Sequence, residues 1–127
     1  MLTILLALHP VVNGQSQDRE KAVKLMQDGN QKEAFALFQT LLGLAENPMA
    51  ADDLESARQC LQFLGQLEEI DAILEASVTR YHSDWRLLAK AAEIYGQVPH
   101  YGVILDGEFV RGNHRGGGVY VNVAERD

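Results

Sequence analysis

The sequence predicts an all-α fold of antiparallel helix-hairpin repeats, about five helices in all, followed by a short C-terminal β-hairpin. Three observations carry that expectation. First, the spacing of the stretch Ala22 to Ala45 recurs at a constant offset of 36 residues: Gly29 follows Leu25 and precedes Glu33, Ala34, Phe38 and Leu42, while Gly65 follows Leu61 and precedes Glu69, Ile70, Leu74 and Val78. A unit of helix, turn and helix that cannot bury its own apolar face must stack on copies of itself. Second, the apolar residues between these glycines alternate at three- and four-residue intervals, the period of a half-buried helix. Third, that period stops after Tyr95, where Asp106-Gly107 sits between the triplets Val103, Ile104, Leu105 and Glu108, Phe109, Val110. An Asp-Gly pair so flanked is a strong hairpin signal.

Taken in order, the first helix follows Asp18 with Ala22, Leu25 and Met26 on one stripe, and Asp28, Gly29 and Asn30 supply the turn. The second starts near Gln31 and carries Ala34, Leu37, Phe38, Leu41 and Ala45 to a stop at Glu46-Asn47-Pro48, since proline cannot donate to the helical ladder. Asp52 or Asp53 is placed to cap a third helix with the stripe Leu54, Ala57, Leu61 and Leu64. Its partner shows Ile70, Ile73, Leu74, Ser77 and Tyr81, with Glu68, Glu69, Asp71 and Glu75 toward solvent. Ser83 or Asp84 caps a fifth helix whose apolar side is Trp85, Leu88, Ala92 and Tyr95. A third, partial copy of the repeat is expected there around Gly96. The hairpin covers residues 101 to 111, a Gly-rich stretch runs from Gly112 to Gly118, Val119 to Val123 forms another short strand, and the last four residues resemble the opening of a helix.

The first fourteen residues stand apart. Leu2 to Leu8 is apolar except for Thr3, no charge precedes Asp18, and Val12 and Gly14 suit the small-residue positions of a signal-peptidase site. Residues 1–14 therefore predict a signal peptide and a secreted or periplasmic protein, with an N-terminal helix or strand packed on the domain as the competing expectation. The run is shorter than the roughly 20 residues that span a bilayer. Residues 15–97 are expected to form the helical repeat domain and 98–127 the hairpin and tail. A third unit with one helix and an unfinished last element marks the chain as a piece of something longer, whose last helix and hairpin fray first for want of a stacking neighbour.

Charge and composition exclude several function classes. The formal charge is −7, from 18 acidic and 11 basic side chains, which argues against nucleic-acid backbones and anionic membranes. The single cysteine, Cys60, lies in an apolar-periodic run and is expected to be a small buried hydrophobe, far from His82 and His100 and without the surroundings that activate a thiol. His100, Asp106, Glu108 and His114 are near in sequence, yet their spacing matches no ligand arrangement, so neither a metal nor another cofactor is expected. The GNHRGGG segment lacks the lysine and hydroxyl residue of a phosphate-binding loop. Arg111, His114 and Arg115 form a small basic cluster suited to docking on the acidic helices. No enzyme is expected, and a small metal-dependent enzyme using His100 and His114 is the reading easiest to exclude. What remains is a surface. By register, the positions open to a protein or peptide partner are Arg19 on the first helix of the array, Gln59 and Gln62 on the third, and Arg86 and Lys90 on the fifth.

The glycine at the inter-helix turn, Glu33-Ala34, Phe38 and the run Trp85, Leu88, Ala89 resemble the tetratricopeptide repeat family. Three longer segments, DGNQKEAFALFQTLL, DWRLLAKAAEIY and YGVILDGEFVRGNHRGGGVYVNVAERD, resemble the N-terminal region of large bacterial proteins of the α2-macroglobulin family. That resemblance implies a secreted protease trap whose bait region and β-sandwich domains lie downstream. The residues after Cys60, Leu61-Gln62-Phe63, do not match the family's Cys-Gly-Glu-Gln thioester motif. The implied role is a non-catalytic interaction or spacer module whose partners include downstream domains of the same protein. The alternative is a free-standing tetratricopeptide-like adaptor binding a peptide in its concave groove.

Overall fold

A computed structural model describes residues 2–112 and 118–127, with side chains from residue 14 onward. It is mostly helical, with five helices and a small three-stranded antiparallel sheet at the C-terminal end. The helices are α1 (Leu2–Gln27), α2 (Gln31–Leu42), α3 (Ala50–Leu64), α4 (Ile70–Arg80) and α5 (Trp85–Gln97), with a short 3-10 turn at Leu67–Glu69. The strands are β1 (Tyr101–Leu105), β2 (Glu108–Arg111) and β3 (Val119–Asn122).

The two recurring glycines do the same work. At the end of α1 the Asn30 N–H donates to Leu25 O and the Gly29 N–H to Met26 O; at the end of α3 the Gln66 N–H donates to Leu61 O and the Gly65 N–H to Gln62 O. These paired bonds require a left-handed residue at the glycine, and φ is +87° at Gly29 and +68° at Gly65. Gly96 behaves differently. It lies inside α5, which ends instead at Val98, held extended (ψ 158°) by the Pro99 that follows.

The core is formed by Ala22 of α1, Ala34, Phe38, Leu41 and Leu42 of α2, Leu54, Ala57, Cys60 and Leu61 of α3, Ile70 and Leu74 of α4, and Leu87, Ala91 and Ile94 of α5, with Ala50, Tyr81 and Val98 at helix ends. Cys60 is buried as expected, and burial pushes its thiol pKa up. The fifth helix is rotated from its expected face: Leu87, Ala91 and Ile94 are buried, Leu88 and Tyr95 are half-buried, Ala92 is exposed, and Trp85 is 69% exposed. A large aromatic at the first position of a helix need not follow the stripe, because one side of the first turn faces solvent whatever the pattern. Asp84 caps this helix as its sequence position predicts, accepting from the Arg86 and Leu87 N–H groups.

The end of α2 differs too. The helix stops at Leu42, with Gly43 as its last half-helical residue, so Ala45 is exposed beyond it rather than on its apolar face. Its last carbonyls are met from elsewhere in the chain. The Tyr81 hydroxyl reaches Leu42 O at 3.1 Å and Leu44 O at 2.5 Å, and Asn47 Nδ2 donates to Leu41 O at 3.0 Å. These contacts satisfy acceptors that a helix terminus leaves open.

In the sheet, β1 is central, paired antiparallel with β2 on one side and β3 on the other. Asp106 and Gly107 both have positive φ, 51° and 81°, the signature of the tight hairpin turn that matches strand twist. Gly102 sits opposite Arg111, and a Cβ there would lie 2.6 Å from the Phe109 ring, so the ring packs across a bare backbone. The last residues form a turn in which the Arg126 and Asp127 N–H groups both donate to Val123 O, the second with the i, i+4 spacing of a helix.

Candidate interaction surface

The residues expected to face a partner fall into two settings. On α3, Arg58 forks onto Glu55, with Nε to Oε2 at 3.0 Å and Nη2 to Oε1 at 2.6 Å, while its Nη1 donates to Gln62 Oε1 at 2.5 Å. Gln59 Nε2 also reaches Glu55 Oε1, at 3.3 Å. The i, i+3 and i, i+4 spacing of a helix puts these four side chains on one patch. On α5, Lys90 pairs with Glu93 at 3.0 Å. The Arg58 hydrogen bond, reinforced by the Lys90 field, holds the Glu55 carboxyl below its ordinary range. Glu55, with the Glu93 field, holds Arg58 above its own range.

Around these pairs lie the groups expected to face a partner. Gln59, Gln62 and Arg86 are exposed, and Lys90 is half-buried. The Arg86 guanidinium lies 5.2 Å from the centroid of the Trp85 ring, which is itself exposed. Phe63 near the end of α3 is 73% exposed. Single exposed apolar residues are ordinary on a protein surface; here each of the two amides has one partner and keeps further hydrogen-bonding capacity.

Arg19 has another setting. Its Nε and Nη2 donate to Asp53 Oδ1 and Oδ2, each at 2.7 Å, and Nη2 also reaches Asn47 Oδ1 at 3.1 Å. Asn47 completes the group: its Nδ2 donates to Asp53 Oδ2 at 2.8 Å, and its Oδ1 accepts from the Met49 N–H at 2.9 Å. The bond to Asp53, which outweighs the cost of burial, keeps the Arg19 pKa raised. Asp53 is therefore not the cap of α3; Met49 occupies that position without a side-chain cap bond, and Asp52 is exposed. Arg19 does line an open groove of about 540 Å³ along α1, with Glu20, Val23, Lys24, Gln27 and Met49, although Asp53 and Asn47 engage its guanidinium from the domain side.

A second polar group ties the sheet to the helices. Arg111 on β2 binds Asp71 of α4 and Asp127 of the final turn, and His100 Nδ1 lies 2.9 Å from Asp127 Oδ2. Docking of Arg111 on an acidic helix is what the sequence predicts; His114 and Arg115 lie outside the described residues. Among the described residues no three His, Cys, Asp or Glu side chains gather in a way that could hold a metal. No helix among them is long and apolar enough to cross a membrane.

The sequence marks Arg111 for docking on an acidic helix but not its carboxylate partners, and it marks Asp53 as a cap and Arg19 as partner-facing rather than as a pair. Asp53 carried a signal, because it shares the three- and four-residue spacing of Ala50, Ala57 and Leu61 and a charge on that face demands a partner. Asp71 and Asp127 are distant in sequence from Arg111 and carried none. No family model, curated protein or solved structure matches the chain, so the α3–α5 surface is assigned by its chemistry alone.

Proposed function

We propose that the chain is a non-catalytic interaction module, built from tetratricopeptide-like helix hairpins, that receives a protein or peptide partner on the surface of its odd-numbered helices. The observation that carries this reading is the pair of ion pairs Glu55–Arg58 on α3 and Lys90–Glu93 on α5, with Gln59, Gln62, Arg86, Phe63 and Trp85 exposed on the same two helices. Because the charges of each pair satisfy one another, this part of the surface is close to neutral even though the chain is strongly acidic. The amides of Gln59 and Gln62 retain capacity to bond an extended backbone. The matched glycine turns at Gly29 and Gly65 support stacked repeats, whose first helices line the partner-binding side.

The resemblance to the α2-macroglobulin family supplies the proposed setting: the front end of a secreted protease-trap-like protein, with its downstream domains as the partner. Two experiments divide this reading. A reading frame that continues past Asp127 through β-sandwich domains supports the setting; a stop codon there removes it and leaves the free-standing adaptor. Titration of a peptide library, or of the downstream domains, against the wild-type chain and the Arg86→Ala/Lys90→Ala double variant tests the surface. Binding that weakens at least tenfold in a variant with an unchanged melting temperature supports it, and equal binding by both proteins refutes it.

A further inference from the structure

We propose that the C-terminal sheet is a strap that opens from the helices as one unit, with the Arg111 guanidinium as the fastening that keeps it closed. The apolar core includes no strand residue. The sheet's apolar side chains are at most half-buried, and Gly102 and Arg111 are the only buried residues in the three strands. What holds the sheet is therefore polar and concentrated at one side chain.

The Arg111 side chain is 1% exposed, and each of its five N–H groups has an acceptor. Nε and Nη2 fork onto Asp71 at 3.0 and 2.7 Å, Nη2 and Nη1 fork onto Asp127 at 3.0 and 2.6 Å, and Nη1 also donates to Pro99 O at 2.5 Å. One residue of β2 thereby joins α4, the segment before β1 and the final turn. The Asp127 side chain is fully buried, and Arg126 bridges it to Asp71 at 3.2 and 3.5 Å. Both arginines also lie over the Phe109 ring, at 5.4 and 4.9 Å from its centroid.

This arrangement makes opening all-or-none. Asp127 and Pro99 belong to the C-terminal segment and move with the sheet, so release breaks the pairs that Arg111 and Arg126 make with Asp71, and a half-open state that strips Asp71 from a still-buried guanidinium is disfavoured. Strand pairing is internal to the sheet and survives the release.

The test is amide hydrogen exchange by NMR on the whole chain in low denaturant. The wild type should show β1, β2 and β3 amides sharing one opening equilibrium, with a smaller denaturant dependence than α2 and α3 amides. Arg111→Gln should speed sheet exchange roughly hundredfold while leaving α2 and α3 within a few-fold; Arg111→Lys, which keeps the charge but cannot fork, should fall between. A single opening process shared by sheet and helices in the wild type would overturn the proposal. So would an Arg111→Gln variant that unfolds entirely or loses protection equally everywhere.

Discussion

Replacing Asp53 by alanine is the sharpest test of how this helical domain is held together. The Asp53 side chain is 1% exposed and accepts three hydrogen bonds, two from Arg19 and one from Asn47. Its removal leaves the Arg19 guanidinium, 18% exposed, with Asn47 Oδ1 as its remaining partner, and leaves one N–H of Asn47 without that acceptor. Breaking a buried pair from one side costs about 3–5 kcal/mol. Since Arg19 keeps some contact with water, the lower end applies, about 3 kcal/mol. For a chain of this size that corresponds to a fall in melting temperature of roughly 10–15 °C. Asp53→Asn keeps an acceptor and should lose about half as much. The double change Arg19→Met/Asp53→Leu removes both charges together and should recover most of the loss, because the desolvation cost disappears with the attraction. Thermal and urea unfolding followed by circular dichroism measure all three. A loss below about 1 kcal/mol for Asp53→Ala, the range of an exposed surface pair, would refute the reasoning.

Three further outcomes follow from the same geometry. Tyr81→Phe removes the hydroxyl that serves the carbonyls ending α2 and should cost about 1–2 kcal/mol in urea unfolding, with no change in helix content; an unchanged midpoint would mean that water replaces it. Gly102→Ala drives a methyl into the Phe109 ring and the Val110 carbonyl, so strand signals should be lost or shifted in NMR spectra while α2 and α3 signals stay in place; Phe109→Ala in the same chain should relieve the ring clash but not the backbone one. The hydrogen bond from Arg111, with smaller help from His100 and Arg126, holds the Asp127 carboxyl well below the ordinary carboxylate range against the opposing effect of burial. A lowered folded pKa gives stability that is present above the unfolded value, about 3.9, and is lost as pH falls below it. The wild-type sheet should thus be destabilised as pH drops from about 4 toward 2, and Asp127→Asn should be less stable at pH 7 and flatter across that window. Equal slopes for the two proteins would contradict the assignment.

Local chemistry made much of the fold legible. Asp106-Gly107 specifies a two-residue turn because few other pairs tolerate two positive φ values in succession, and Gly29 and Gly65 end their helices because the backbone there must turn left-handed. Asp84 precedes a helix whose first free amides need an acceptor, and Cys60 lies on a stripe that only burial explains. These are properties of a residue and its near neighbours, so sequence alone determined them. The face of α5, the early end of α2 and the fate of Asp53 and Arg111 depend on what packs beside them. Leu87, rather than Trp85, turns inward because α3 lies against that side of α5. Tyr81, far along the chain, brings its hydroxyl to the Leu42 carbonyl that ends α2 and to Leu44 O just beyond it. Arg19 was legible as a polar position on the first helix, but whether it met a partner protein or Asp53 was decided by the approach of α1 to α3. Arg111 is buried because the fold brings Asp71 and Asp127 to it from 40 residues before and 16 after. A charge can leave water only where opposite charges have been assembled, and only tertiary structure assembles them.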